Sequence, residues 1–221
     1  MLTLCDLGRD VPYGEAFELQ KRLVTRRAAG EIGDLLLLLE HRPVYTMGRN
    51  AAESNILASR EALAAAGIDV CETTRGGDVT YHGPGQLVGY PIIDLGPSSR
   101  EIVGYVAKLE RVLIELLAQY GLEAGTDKRN RGVWIGNSKI AALGVRVTRG
   151  VTMHGFALNV DPEMNHFLGI VPCGIQGAGV TSMREQLGDA PEMTEVKARC
   201  LECFRNVFGV DAVEHVDEDA L

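Results

Sequence analysis

The sequence predicts an α+β fold, a mixed and largely antiparallel sheet packed by helices. Strand-like segments are grouped in the middle of the chain instead of alternating regularly with helices. Two of the connections in that group, Asn137-Ser138 and Thr148-Arg149-Gly150, read as hairpin turns and make it an antiparallel meander. Helical apolar periodicity stands on both sides of the group in sequence.

Residues 2–7 read as a short strand. Over 13–29, Tyr13, Phe17, Leu23, Val24 and Ala28 recur at helical spacing, and Gly30 stops the pattern. The wholly apolar run inside 34–40 reads as a buried strand, and a small helix over 59–66 is closed by Gly67. Further strands are expected over 68–74, 86–94, 131–136, 139–148 and 151–160. The clearest helix is 99–120, with Ile102, Val106, Leu109, Leu113, Leu116, Leu117 and Tyr120 on one face. Ser98 and Glu101 form its capping box and Gly121 its stop. The last helix, 195–208, turns Val196, Cys200, Cys203, Phe204 and Val207 inward.

The chain of 221 residues carries no repeat or low-complexity linker and reads as one catalytic domain over 1–221. Its net charge of −8 lacks the basic footprint of a nucleic-acid binder. Its strongest apolar run, 35–39, is far short of the ~20 residues that a membrane span needs, so no membrane is expected. The first residues include Asp6 and lack the pattern of a secretory signal, and five irregularly spaced cysteines suit a reducing compartment. A cytoplasmic location is the expectation.

Four stretches carry chemistry. Residues 75–86, RGGDVTYHGPGQ, put four glycines beside Arg75, Thr80, Tyr81, His82 and Gln86, which suits a backbone approaching a ligand closely. Taken singly these residues fit an exposed turn; as a cluster they point to a pocket. Cys173 lies between Pro172 and Gly174 in an expected loop, where a thiol is exposed for attack, whereas structural cysteines favour helices and strands. Lys139 opens an otherwise apolar strand. It is either a solvated edge residue or a cation that stabilises a nearby thiolate, since free cysteine titrates near ~8.5. His154 sits in the strand-like VTMHGFALNV, where a structural role is the ordinary one.

Two features are discounted. Cys200 and Cys203 fall on the apolar face of a helix with no second pair, so no metal site is expected. No phosphate loop of the GxxxxGK[ST] type occurs.

Taken together, RGGDVTYHGPGQLVGY, the lysine of NSKIAALG, HGFALNV and the cysteine of PCGI resemble the lipoyl(octanoyl) transferase family, in its order and with similar spacing over about 42–188. The resemblance implies the fold of biotin and lipoate protein ligase catalytic domains. It implies that an octanoyl group passes from the thioester of acyl carrier protein to a lysine of a lipoyl domain of 2-oxoacid dehydrogenases or of the glycine-cleavage carrier protein, the first step of endogenous protein lipoylation. Position by position, Cys173 matches the nucleophile that carries the acyl thioester and Lys139 the residue that lowers its pKa. Arg75, Gly76, Gly77, Asp78, Val79, Thr80, Tyr81 and His82 match one wall of the acyl pocket. Ala142, Leu143 and Gly144, with Gly155, Phe156 and Ala157 beside His154, match the rest of its lining. Backbone N–H groups near the glycines are candidates to hold the oxyanion. No cofactor and no ATP are expected, because the acyl group arrives activated.

An acidic donor would dock on a local basic face, for which Lys128, Arg129 and Arg131, or Lys21, Arg22, Arg26 and Arg27, are candidates. Three rival readings remain: an ATP-dependent lipoate or biotin ligase of the same fold, a thiol hydrolase using Cys173 with His82 or His154, and a non-catalytic acyl-binding module.

Overall fold

The computed structural model describes residues 1–96, 101–171 and 178–221. It bears out the α+β class: among the described residues, a large mixed sheet carries helices on both faces and a small sheet stands beside it.

The large sheet contains β1 (Leu2–Asp6), β2 (Asp34–Leu39), β6 (Gln86–Ile92), β7 (Gly125–Asp127), β8 (Asn130–Ile135), β9 (Ser138–Thr148), β10 (Val151–Asn159) and β12 (Val213–Val216). Their order is β12-β1-β2-β6-β10-β9-β8-β7, with the two residues of β11 (Gly179–Val180) pairing with the start of β9. The pairs β12–β1 and β1–β2 are parallel, while the path from β2 through β6, β10, β9 and β8 to β7 is antiparallel. The small sheet, β4-β3-β5, joins β3 (Val44–Met47), β4 (Asp69–Glu72) and β5 (Val79–His82).

The expected meander is present. Its second turn is Arg149-Gly150, both at positive φ (55° and 82°), with Thr148 and Val151 closing the hairpin. The first turn is shifted by one residue: Gly136, at φ 56°, and Asn137 make it, and Ser138 already pairs with Ile135. The strands β3, β5, β7, β11 and β12 go beyond the sequence expectation. Each has five residues or fewer, too short for a period of two to stand out.

Helix α1 (Tyr13–Ala28) packs on one face of the large sheet, burying Ala16, Leu19, Leu23 and Val24 against Leu35, Leu37, Val88 and Ala157. Helices α3 (Glu101–Ala118) and α5 (Met193–Phe208) pack on the other, where Leu109, Leu113, Cys200, Cys203 and Phe204 meet Leu36, Leu38, Phe156 and Leu158. Cys200 and Cys203 are thus core residues, as expected. Ser59 caps the short α2 (Arg60–Ala65) and Ser182 caps α4 (Met183–Leu187), each hydroxyl accepting a backbone N–H at 3.2 Å. Ser98, the expected cap of α3, lies outside the described residues. Among the described residues, no helix is long and apolar enough to cross a membrane.

Candidate active site

A cleft opens between the α1-covered face of the large sheet and the small sheet. It encloses about 530 Å³ with its open mouth included. Its floor exists because side chains are missing. Ala142 pairs across the strands with Ala157, and Gly144 with Gly155, so neighbouring positions on β9 and β10 leave the sheet nearly bare.

The glycine-rich stretch makes the opposite wall. It contains a strand, β5, and the alternation of that strand divides its residues. Thr80 and His82 line the cleft, whereas Tyr81 packs with Tyr45 and Phe167 in the small sheet's own core. The Tyr81 hydroxyl instead meets His166 Nδ1 at 2.8 Å. Gly76 is also off the cleft, its N–H donating to the Val145 carbonyl at 3.2 Å. That bond ties the wall to β9, and a Cβ on Gly144 would stand 3.0 Å from Arg75 Cδ.

Arg75 is buried, and its guanidinium is anchored on Thr46 of β3: Nη2 donates to the carbonyl at 2.6 Å and to Oγ1 at 2.9 Å. Asp78 accepts from Asn55 Nδ2 at 2.8 Å and from the Val79 N–H at 2.6 Å. Both residues therefore shape the wall as well as lining it.

The histidines of the site are neutral rings. Gln86 Nε2 donates to the Tyr81 carbonyl and to Asn159 Oδ1, so its Oε1 must accept from His82 Nδ1–H at 2.7 Å. Desolvation, with His41 and Arg75 nearby, holds the His82 pKa well below the usual histidine range. His41, behind the wall, donates from Nδ1 to the Val11 carbonyl at 2.9 Å and accepts the Tyr90 hydroxyl on Nε2 at 2.7 Å. Burial pushes its pKa down to about 4. His154 is pushed to about 3 by burial and by the charges of Arg75 and Arg146.

Lys139 is buried at the other end of the cleft. Its Nζ donates to the Arg131 carbonyl at 3.1 Å and lies 4.9 Å from the Trp134 ring centroid. Its strand position is held on both sides, by Trp134 of β8 and Val180 of β11. Cys173 falls in residues 172–177, outside the described residues. Of the residues that match the family's catalytic and pocket positions, the structure thus brings all but Gly76, Tyr81 and Cys173 to one cleft; Gln86 stands behind it, holding His82.

Tyr13, Tyr90 and Asn130 also line it and were missed. Tyr13 reads as an ordinary core position of a helix. Tyr90, a polar tip inside the apolar run of β6, was the one available signal.

Residues 12–205 match the family model of the lipoyl protein ligase A/B catalytic domain. The octanoyltransferase of Caldicellulosiruptor saccharolyticus is 50% identical over 210 residues, 94% of this chain and 89% of that protein. The octanoyltransferase of Alkaliphilus metalliredigens is 47% identical over 217 residues, 98% and 99% of the two chains. Among solved structures, a bipartite lipoate protein ligase from Thermoplasma acidophilum superposes with a TM-score of 0.74 at 14% identity, covering 98% of this chain and 87% of that one. The biotin protein ligase of Aquifex aeolicus reaches 0.54 at 11% identity, covering 95% and 69%. These two likenesses speak to the fold alone.

Proposed function

The chain belongs to the octanoyltransferase family within the lipoyl protein ligase A/B catalytic domains, and from that premise we propose how this acyltransferase works. An octanoyl group is taken from an acyl carrier protein thioester onto Cys173. It is then passed to a lysine of a lipoyl domain or of the glycine-cleavage carrier protein. The whole chain acts as one catalytic domain and works in the cytoplasm.

The observation that carries the reading is the convergence of Lys139 and the 75–82 wall on one cleft whose floor is Ala142, Gly144, Gly155 and Ala157. Such a floor takes an unbranched alkyl chain. Described residues on either side of Cys173 in the sequence are bonded beside this cleft. Val171 N–H donates to the Asn55 carbonyl, and Asn55 holds Asp78 of the wall. On the far side Thr181 N–H donates to the Lys139 carbonyl. Only Pro172 stands between Val171 and Cys173 in the sequence, which supports reading Cys173 as part of this site.

In the first step the Cys173 thiolate attacks the thioester carbonyl. The new S–C bond replaces the carrier's, and the carrier leaves as a thiol after taking up a proton. In the second, the acceptor amine attacks the Cys173 thioester, the amide forms, and the amine proton returns to the sulfur. Lys139 favours the thiolate as a cation and, once neutral, acts as the base for the acceptor amine. The thioester is already activated, so the reaction needs neither ATP nor a cofactor. The buried, neutral histidines are poor bases at neutral pH, which weighs against a hydrolase using His82 or His154.

The test is intact-protein mass after incubation with octanoyl-acyl carrier protein without ATP, for wild type and Cys173→Ala. The reading expects a hydroxylamine-labile octanoyl adduct on wild type alone. Acceptor modification that appears only with ATP and free octanoic acid would identify a ligase instead.

A further inference from the structure

His154 occupies an irregular place in a regular strand. Alternation along β10 sends Met153 and Ala157 to the α1 face, and Phe156 and Leu158 to the α3 face. By that rule His154 belongs with Phe156. Its backbone is instead left-handed, φ 58°, and its ring stacks on Phe17 of α1 at 5.4 Å and meets Tyr90 edge-on.

Three neighbours make the exception stable. The β10–β6 pairing ends at Phe156 and Gly89 and resumes where Thr152 N–H donates to the Ile93 carbonyl, which sets Pro91 opposite His154, and proline has no N–H to offer the ladder. The His154 N–H donates to Gln20 Oε1 of α1 at 2.7 Å. Gly155 follows, where any Cβ would strike the Gly89 carbonyl and stand 2.7 Å from Pro91 Cδ. A left-handed residue that is not glycine is strained, so the fold gives up stability to turn this ring toward the cleft.

What the ring does there follows from what lies behind it. His154 lines the cleft at the end away from Lys139. Phe17 does not line the cleft but lines a second, partly apolar groove of about 610 Å³ with its open mouth included, together with Val24, Met153, Thr74 and Arg146. Thr74 Oγ1 lies 3.3 Å from His154 Nε2, so the boundary between the two spaces is His154, Phe17 and Thr74.

We propose that the stacked rings of His154 and Phe17 form the end wall of the acyl cleft and set the longest chain the enzyme accepts. The inference rests on reading the cleft as an acyl site and adds the residues that determine length. Removing either ring joins the cleft to the groove of Val24 and Met153, and longer chains gain that apolar lining.

The experiment measures binding of octanoic, decanoic and dodecanoic acid by calorimetry, and transfer from the matching acyl-carrier thioesters, for wild type, Phe17→Ala and His154→Gly. Glycine adopts φ 58° freely, so His154→Gly keeps the test alive should Phe17→Ala lose its fold. Both variants are expected to raise the dodecanoyl-to-octanoyl ratio at least about tenfold, in binding and in rate, the scale of one or two methylenes in an apolar pocket. Met153→Trp added to Phe17→Ala refills the groove and is expected to reverse the shift. Folded variants with the wild-type chain-length profile would overturn the end wall. Binding of fatty acids with no transfer by wild type would overturn the transfer reading and leave the wall to be judged on binding alone.

Discussion

The side chain of Lys139 fills the space that a Cβ on Gly132 would need. Gly132 sits on β8 at φ 140°, and a Cβ there would lie 3.1 Å from Lys139 Cε and 2.6 Å from the Ala141 carbonyl oxygen. Its N–H donates to Glu110 Oε1 at 3.2 Å, a buried carboxylate on α3. The register shift in β8 between Val133 and Trp134 falls beside this point. The lysine of the site is thus seated by a glycine, a bulge and a helix from the opposite face of the sheet.

Gly132→Ala is expected to destabilise the protein by about 1–3 kcal/mol, because alanine is strained at this φ and meets a backbone oxygen. Transfer activity is expected to fall further than stability alone explains. Urea unfolding and the rate of transfer at a temperature where the variant is fully folded separate the two effects. Equal stability and full activity would mean that β8 moves aside freely.

Lys139→Met tests the role proposed for the lysine. With the cation gone, the pH midpoint for alkylation of Cys173 by iodoacetamide is expected to rise toward that of an ordinary thiol, about 8.5. A midpoint equal to that of wild type would remove Lys139 as the thiolate's partner.

Burial of His41 makes stability depend on pH. Its folded pKa, about 4, lies below the unfolded value of about 6.5, so the neutral ring is favoured in the fold. The stability this contributes is fully present above about pH 6.5 and is lost as pH falls through the window to about 4. The shift corresponds to about 3 kcal/mol. Urea midpoints at pH 7.5 and 4.5 for wild type and His41→Gln check it. The acid loss is expected to be smaller in the variant, and equal losses would show that other groups dominate.

Gln20→Met removes the acceptor of the His154 N–H from a buried place. A lost partner of this kind costs about 1–3 kcal/mol. Denaturant unfolding should show that loss in Gln20→Met and a smaller one when it is combined with His154→Gly, whose backbone can relax. Strictly additive losses would show that Gln20 does not hold the left-handed turn.

The long amphipathic helices and the meander were legible because each repeats a pattern over many residues. The short strands were not, and β5 shows why. Four residues inside a glycine-rich stretch carry no periodicity, yet pairing with β3 makes them a strand and sends Tyr81 away from the site that its neighbours line. Alternation also fails as a guide to His154, whose orientation depends on Pro91 and Gln20, distant in sequence.

By itself the sequence determined the fold class, the family and most of the residues of the cleft, since these reside in composition, periodicity and contiguous motifs. The tertiary structure decided which of those residues face the cleft. It brought in Tyr13, Tyr90 and Asn130, kept the histidines neutral by burial, and set Lys139 and His154 at opposite ends. The division has a physical cause. A motif is local along the chain, whereas desolvation, register and the direction of a side chain are fixed by neighbours that only folding brings together.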